Sequence, residues 1–305
     1  MKFIAILLGS TIACTGTKDT AVETGDSVPE DDRQRLTILH TNDWQSHMLG
    51  FGPNAEFTPE TTNDDGTVGG LSRIKTLVDE IRAATDHPVQ LYDGGDGRAG
   101  ALFQLLAPSH AAELQMMKAL GYDAITLGNH EFDWGPQVLG EMITLADSLG
   151  VEVPIVASNT HPNTEDEGDD LLEAHFDSGR IETTRVQELE NGLRIGLFGV
   201  LGDDAQAITP AAVPTTFSEV ATAAAEALRG LGVPLAVVKL GELGVYYASG
   251  SESGHVESFD VEAVDTIAAG DAFGAGLTVA LCEGKSVRDA VQLGAAAGAL
   301  AVTRP

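Results

Sequence analysis

Ala124-Ile125-Thr126-Leu127-Gly128-Asn129-His130-Glu131-Phe132-Asp133 is an apolar run of strand length that breaks at a glycine into amide, imidazole and carboxylate side chains. Two upstream stretches repeat the plan. Leu36-Thr37-Ile38-Leu39 leads into His40-Thr41-Asn42-Asp43-Trp44-Gln45-Ser46-His47, and Val89-Gln90-Leu91-Tyr92 leads into Asp93-Gly94-Gly95-Asp96. Between and beyond them, Ile74, Leu77, Val78 and Ile81 mark one helical face, and Leu114, Met117 and Leu120 a second. Leu139, Met142, Ile143 and Ala146 mark a third, before a further strand at Ile155-Val156-Ala157. Strands regularly separated by helices predict an α/β fold with parallel pairing. In such sheets functional groups gather in the loops beyond the carboxyl ends of the strands.

The three loops carry a common chemistry. Each strand ends in a carboxylate, amide or imidazole, and two have glycines that let the backbone turn sharply beside them. Oxygen and nitrogen donors clustered at loop ends suit a divalent cation, and an Asp can bridge two. An Asp-Gly turn alone is ordinary, and a lone His is usually structural; three such ends in sequence order are what point to a site. A fourth feature reads differently. The stretch 161–177 holds Glu165, Asp166, Glu167, Asp169, Asp170, Glu173 and Asp177, which predicts a solvated, salt-tolerant surface.

Composition narrows the partners. The chain has 305 residues with a formal net charge of −29, from 17 Lys+Arg against 46 Asp+Glu. Phosphate-backbone binding is driven mainly by Lys/Arg and counterion release, so the acidic balance argues against nucleic acid as a partner. Two cysteines, Cys14 and Cys282, exclude a disulfide scaffold and a multi-thiolate zinc finger.

Lys2 followed by the apolar run from Phe3 to Ala13, then Cys14, has the plan of an export signal too short to span a bilayer. A cysteine after a small residue there resembles a bacterial lipoprotein cleavage site, with Thr11 where an aliphatic residue is usual. The expectation is a signal peptide over 1–14 and an acidic linker over 15–35, which lacks the apolar residues to bury a core. The protein is then exported, periplasmic or a membrane-anchored lipoprotein, its membrane contact limited to a lipid anchor at Cys14; plain secretion with cleavage elsewhere is the alternative.

Residues 36–217 resemble the catalytic domain of the 5′-nucleotidase and UDP-sugar hydrolase metallophosphatases. The matching stretches are Ile38-Leu39-His40-Thr41-Asn42-Asp43, Gly95-Asp96 and Leu127-Gly128-Asn129-His130-Glu131-Phe132-Asp133-Trp134-Gly135. The resemblance implies Asp43 on a first metal, Asp96 bridging two and Asn129 on the second. It implies His130 acting on the phosphoryl or leaving oxygen and Asp133 orienting its ring. The cofactors implied are divalent metal ions (Mn, Zn, Co or Mg), and the substrate a small phosphorylated molecule of the nucleotide or nucleotide-sugar class. Gln45 stands where the family commonly has His; its oxygen suits manganese or magnesium better than zinc. His47 lies two residues on as a candidate replacement. The family also carries two later histidine motifs that complete both metal shells. The chain has eight histidines, and none of those after His130 sits in such a pattern.

From about Val220 the chain resembles the carboxy-terminal part of the ribokinase family of sugar kinases. The match lies in Ala236-Val237-Val238-Lys239-Leu240-Gly241 and in Asp265-Thr266-Ile267-Ala268-Ala269-Gly270-Asp271-Ala272-Phe273. It implies Asp271 as a catalytic base, amides near Ala269 and Gly270 cradling a phosphoryl group, and Asp265 with the Ile267 carbonyl as a monovalent-cation site. Lys239 replaces a usual Thr. The fold expected is α/β: an incomplete metallophosphatase-type α/β sandwich over 36–217 with a smaller ribokinase-like α/β segment over 218–305. Three functions are open. They are an impaired metal-dependent phosphoester hydrolase, a ribokinase-like carbohydrate kinase fragment, and an inactive hybrid of the two.

Overall fold

A computed structural model describes residues 3–8, 35–50, 68–250, 252–264 and 269–303. Cys14, nearly all of the expected linker and the pair Asp265 and Ile267 lie outside the described residues. The chain divides into two units, Met1–Ser218 and Glu219–Pro305.

The first unit starts with β1 (Phe3–Leu8), β2 (Thr37–Thr41), α1 (Leu71–Ala84) and β3 (Val89–Asp93). It continues through α2 (Ala107–His110), α3 (Ala112–Leu120), β4 (Ala124–Ile125), α4 (Pro136–Ser148), β5 (Ile155–Val156) and β6 (Thr160–His161). Then come α5 (Asp170–Asp177), β7 (Ile181–Glu182), β8 (Arg185–Glu188), β9 (Arg194–Gly199), α6 (Ala205–Ile208) and β10 (Thr216–Phe217). Five strands form one sheet in the order β2-β3-β4-β5-β7, all parallel. A second sheet has the order β1-β9-β8, with β1 parallel and β8 antiparallel to β9.

Strand β3 shows why the large sheet is central. All five of its residues are buried, and successive side chains point to opposite faces. Leu91 joins the larger core with Leu127, Phe132, Ile143 and Ile155. Its neighbour Tyr92 joins a second core with Val156 of β5 and with Ile195 and Leu197 of the other sheet. Both faces are therefore covered, the usual condition of a parallel sheet, and each such aliphatic side chain contributes about 1.5–3 kcal/mol by leaving water.

The elements fall where periodicity places them, with two corrections. Leu77, read as part of the buried face of α1, is 57% exposed; Leu71 and Val78 carry that face instead. The acidic stretch is not all solvated surface. Asp169 is fully buried, where it accepts from Thr215 Oγ1 at 2.6 Å and Asn163 N at 3.0 Å, and the chain after it coils into α5.

The second unit contains α7 (Val220–Gly230), β11 (Leu235–Lys239), β12 (Val245–Ser249), β13 (Ser253–Val256), α8 (Ala269–Cys282) and α9 (Val287–Val302). Its three strands form an antiparallel sheet in sequence order. Val245, Tyr247 and Val256 pack with Phe273 of α8 and Val291 of α9.

Candidate functional site

Because β2, β3 and β4 are neighbours in the sheet, the loops that follow them lie side by side. The first two zip together through the backbone. Thr41 O accepts from Gly94 N at 2.8 Å, then Asp43 N donates to Gly95 O at 3.1 Å, Gln45 N to Asp96 O at 3.2 Å and Ser46 N to Gly97 O at 2.9 Å. This path forces unusual backbone. Asp43, Gln45, Ser46 and Asp96 have φ of 53°, 46°, 56° and 56°, each costing on the order of 1 kcal/mol in a non-glycine residue. The second and third loops touch just as closely. A Cβ on Gly95 would fall 2.6 Å from Gly128 N, and one on Gly128 would fall 2.3 Å from Asp96 Oδ1.

Asp96 is the hinge of this arrangement. It is 4% exposed, and His130 N donates to its Oδ1 at 2.8 Å. Glu131 accepts three amides: Asp96 N at 3.0 Å, Gly97 N at 3.0 Å and Gly128 N at 2.6 Å. The His130 ring places Nδ1 3.1 Å from Asp133 Oδ2. Asp43 Oδ2 is hydrogen-bonded by Asn42 Nδ2. Gln45 packs beside Gly100 with His47, and Asn129 opens the short 3-10 turn that carries His130 and Glu131. Among the described residues no three His, Cys, Asp or Glu side chains gather to hold a metal ion. Of the four expected donors, Asp43 and Asp96 are of those types, and Gln45 and Asn129 are amides.

Burial sets the electrostatics. It pushes the Asp96 carboxyl up to about 6, against the His130 amide bond. Asp93 is pushed up to about 7 by burial, against bonds from Thr41 and Gly95 N, with Glu131 and Asp43 adding repulsion. Thr41 Oγ1 donates to Asp93 Oδ2 at 2.6 Å and also lies 2.6 Å from Tyr122 OH. Glu113, raised by burial, accepts from Ser46 Oγ at 2.8 Å. Arg98 is 4% exposed, donates Nη1 to Met142 Sδ at 2.9 Å and stacks 5.7 Å over the Trp134 ring. Burial lowers its pKa, opposed by Glu131, Glu113 and Asp133. Sequence reasoning gave Glu131, Arg98, Asp93 and Glu113 no role. Glu131 stands inside the quoted stretch beside His130, and that adjacency was the available signal.

In the second unit, Ala269, Gly270 and Asp271 form the first turn of α8, with Asp271 exposed. Lys239 at the end of β11 reaches toward them: a Cβ on Gly270 would lie 2.8 Å from its Nζ, which also sits 5.8 Å from the Phe273 ring centre. Lys239, Ala269 and Gly270 border a cavity of about 840 Å³ lined also by Ser258, Phe259 and Val261.

A family profile described as pfkB family carbohydrate kinase matches residues 192–305. The trifunctional nucleotide phosphoesterase protein YfkN of Bacillus subtilis (strain 168) is 34% identical over 148 residues, covering 45% of this chain and 8% of that protein. The 5′-nucleotidase of Bos taurus is 41% identical over 127 residues, covering 41% of this chain and 20% of the other. The chain carries a 5′-nucleotidase-like segment and a carboxy-terminal pfkB-type segment.

The solved 5′-nucleotidase precursor from Thermus thermophilus is 27% identical with a TM-score of 0.49, over 65% of this chain and 35% of that one. The chain thus spans a fifth or less of the length of the two curated relatives. The pfkB-type match begins at residue 192, ahead of β9, whereas the motifs that carry the kinase resemblance begin near Val220. Residues 192–218 of that match lie in the first unit, where they include β9, the middle strand of its second sheet, with α6 and β10.

Proposed function

We propose that the amino-terminal unit is a metal-dependent phosphoester hydrolase of the 5′-nucleotidase type, impaired by the lack of the later histidine motifs. One observation carries this reading: Asp96 is buried, its Oδ1 is fixed by His130 N, and among the described residues its Oδ2 takes no hydrogen bond. With one oxygen held by the backbone and the other free, the carboxylate is positioned to meet a cation. Asp43, Gln45, Asp96 and Asn129 are all oxygen donors and fit a hard divalent ion, manganese or magnesium before zinc. When bound, such an ion stabilises negative charge on a phosphoryl group.

The chain's own residues supply the rest. Asp133 at Nδ1 orients the His130 ring, and His130 acts on the phosphoryl or leaving oxygen through Nε2. The positive-φ loop holds Asp43 and Gln45 beside Asp96 with little freedom to rearrange. The substrate class we infer is a small phosphorylated molecule, nucleotide or nucleotide-sugar. Purified protein assayed on nitrophenyl phosphate, AMP and UDP-glucose with manganese, cobalt or zinc tests this; turnover unaffected by chelator would rule it out.

Export fits a hydrolase, which needs no cytosolic cosubstrate, and a lipid anchor at Cys14 belongs to the same proposal. Cleavage there would remove β1 and leave β9 an edge strand of its sheet, a surface open to pairing with other chains.

The cavity beside α8 favours a second reading, a carbohydrate kinase fragment. ATP-dependent phosphorylation of a sugar that disappears in Asp271→Ala is its required sign. The third, a hybrid that turns nothing over, would show at most one weak site in a calorimetric manganese titration.

A further inference from the structure

Glu131 ties together two loops that the hydrolase reading treats as separate ligand sources. Two of the amides it accepts, Asp96 N and Gly97 N, belong to the loop after β3, and the third, Gly128 N, to the loop after β4. Asp96 is consequently held from both ends, its N–H by Glu131 and its Oδ1 by His130 N. Asp96 and Gly97 are buried, so without Glu131 their N–H groups lose their partner away from water. Loss of a buried donor's partner costs far more than the bond's net worth. A carboxylate is the group that fits here, because both its oxygens accept; a glutamine would turn an NH2 toward at least one of the amides.

We propose that Glu131 is a positioning residue that sets the relation of Asp96 to His130 across the two loops, without itself touching the cation or the phosphoryl group. This rests on the hydrolase reading.

The test uses the full chain as wild type, Glu131→Gln and Asp96→Asn, titrated with manganese chloride while free Mn²⁺ is read by electron paramagnetic resonance. The expected result is manganese binding by wild type, weakened about 10–100-fold in Glu131→Gln, the range for groups that orient a metal ligand. The bound-manganese line shape should broaden as well. A role confined to stability would lower the melting temperature and leave the affinity and line shape of the folded variant alone. Affinity in folded Glu131→Gln matching wild type overturns the positioning role and leaves the hydrolase reading standing. No manganese binding by wild type overturns both. If Glu131→Gln does not fold, amide exchange of metal-free wild type decides: one shared protection for Asp96, Gly97 and Gly128 supports the role, and unprotected exchange of Gly97 and Gly128 overturns it.

Discussion

The backbone N–H of His130 donates to Asp96 Oδ1 at 2.8 Å, which joins the proposed acid and the proposed ligand in one rigid unit. The same histidine meets Asp133 through Nδ1. Replacing Asp133 with Asn keeps an acceptor but removes the carboxylate charge beside the ring. Hydrolysis by Asp133→Asn should fall about 10–100-fold, mainly in kcat and with KM little changed. Steady-state kinetics over several pH values would show it; equal loss in both constants would place Asp133 in substrate binding instead.

Metal-free protein should lose stability as pH rises. Asp93 and Asp96 titrate at about 7 and about 6 in the fold, above their ordinary 3.8. Between those limits the unfolded chain has released its protons and the native state still holds them, so the native state is progressively disfavoured. The loss sets in above pH 4 and is complete above pH 7. A tenfold difference in proton affinity between the folded and unfolded chain corresponds to about 1.4 kcal/mol before relaxation. Urea unfolding with chelator at pH 5 and pH 8 should give the higher midpoint at pH 5. Manganese, which needs the ionised carboxylates, should bind more tightly at pH 8.

Thr41 links β2 to both Asp93 and Tyr122 through one hydroxyl. Thr41→Val keeps the shape and leaves the buried Asp93 without that donor. We expect a loss of about 1–3 kcal/mol, read by urea denaturation at pH 8.

Gly128→Ala should be worse than alanine at an open turn. Its Cβ would fall 2.3 Å from Asp96 Oδ1 and 2.4 Å from Asp96 N, whereas Gly192, at φ of 77°, has nothing within 4 Å. Gly192→Ala should cost about 1 kcal/mol through backbone conformation, with manganese affinity unchanged. Gly128→Ala should displace Asp96 and weaken manganese binding as well as stability, the latter by about 1–3 kcal/mol or more.

The three strand ends were legible because each is a local pattern: an apolar run, a glycine, then donors. What joins them was not. The positive φ at Asp43, Gln45 and Ser46 follows from pairing with a loop about fifty residues away in sequence, and no local preference of Gln or Ser announces it. Leu77 fits the helical period but points away from both cores, because periodicity fixes a stripe and the packed neighbours fix its width. Asp169 sits in a run of carboxylates that reads as solvated, and Thr215, 46 residues on, turns it inward. The role of Glu131 was hidden for the opposite reason. It stands next to His130, whose ring is the more conspicuous group, and its own partners are backbone amides that no side-chain motif displays.

Turnover of AMP by the purified full chain in manganese, run beside Asp96→Asn and His130→Ala, tests the central claim most directly. We predict chelator-sensitive hydrolysis that drops at least about 100-fold in both variants, as when a preorganised electrostatic group is removed. Hydrolysis that persists equally in both variants, or none in the wild type at any manganese concentration, would contradict it.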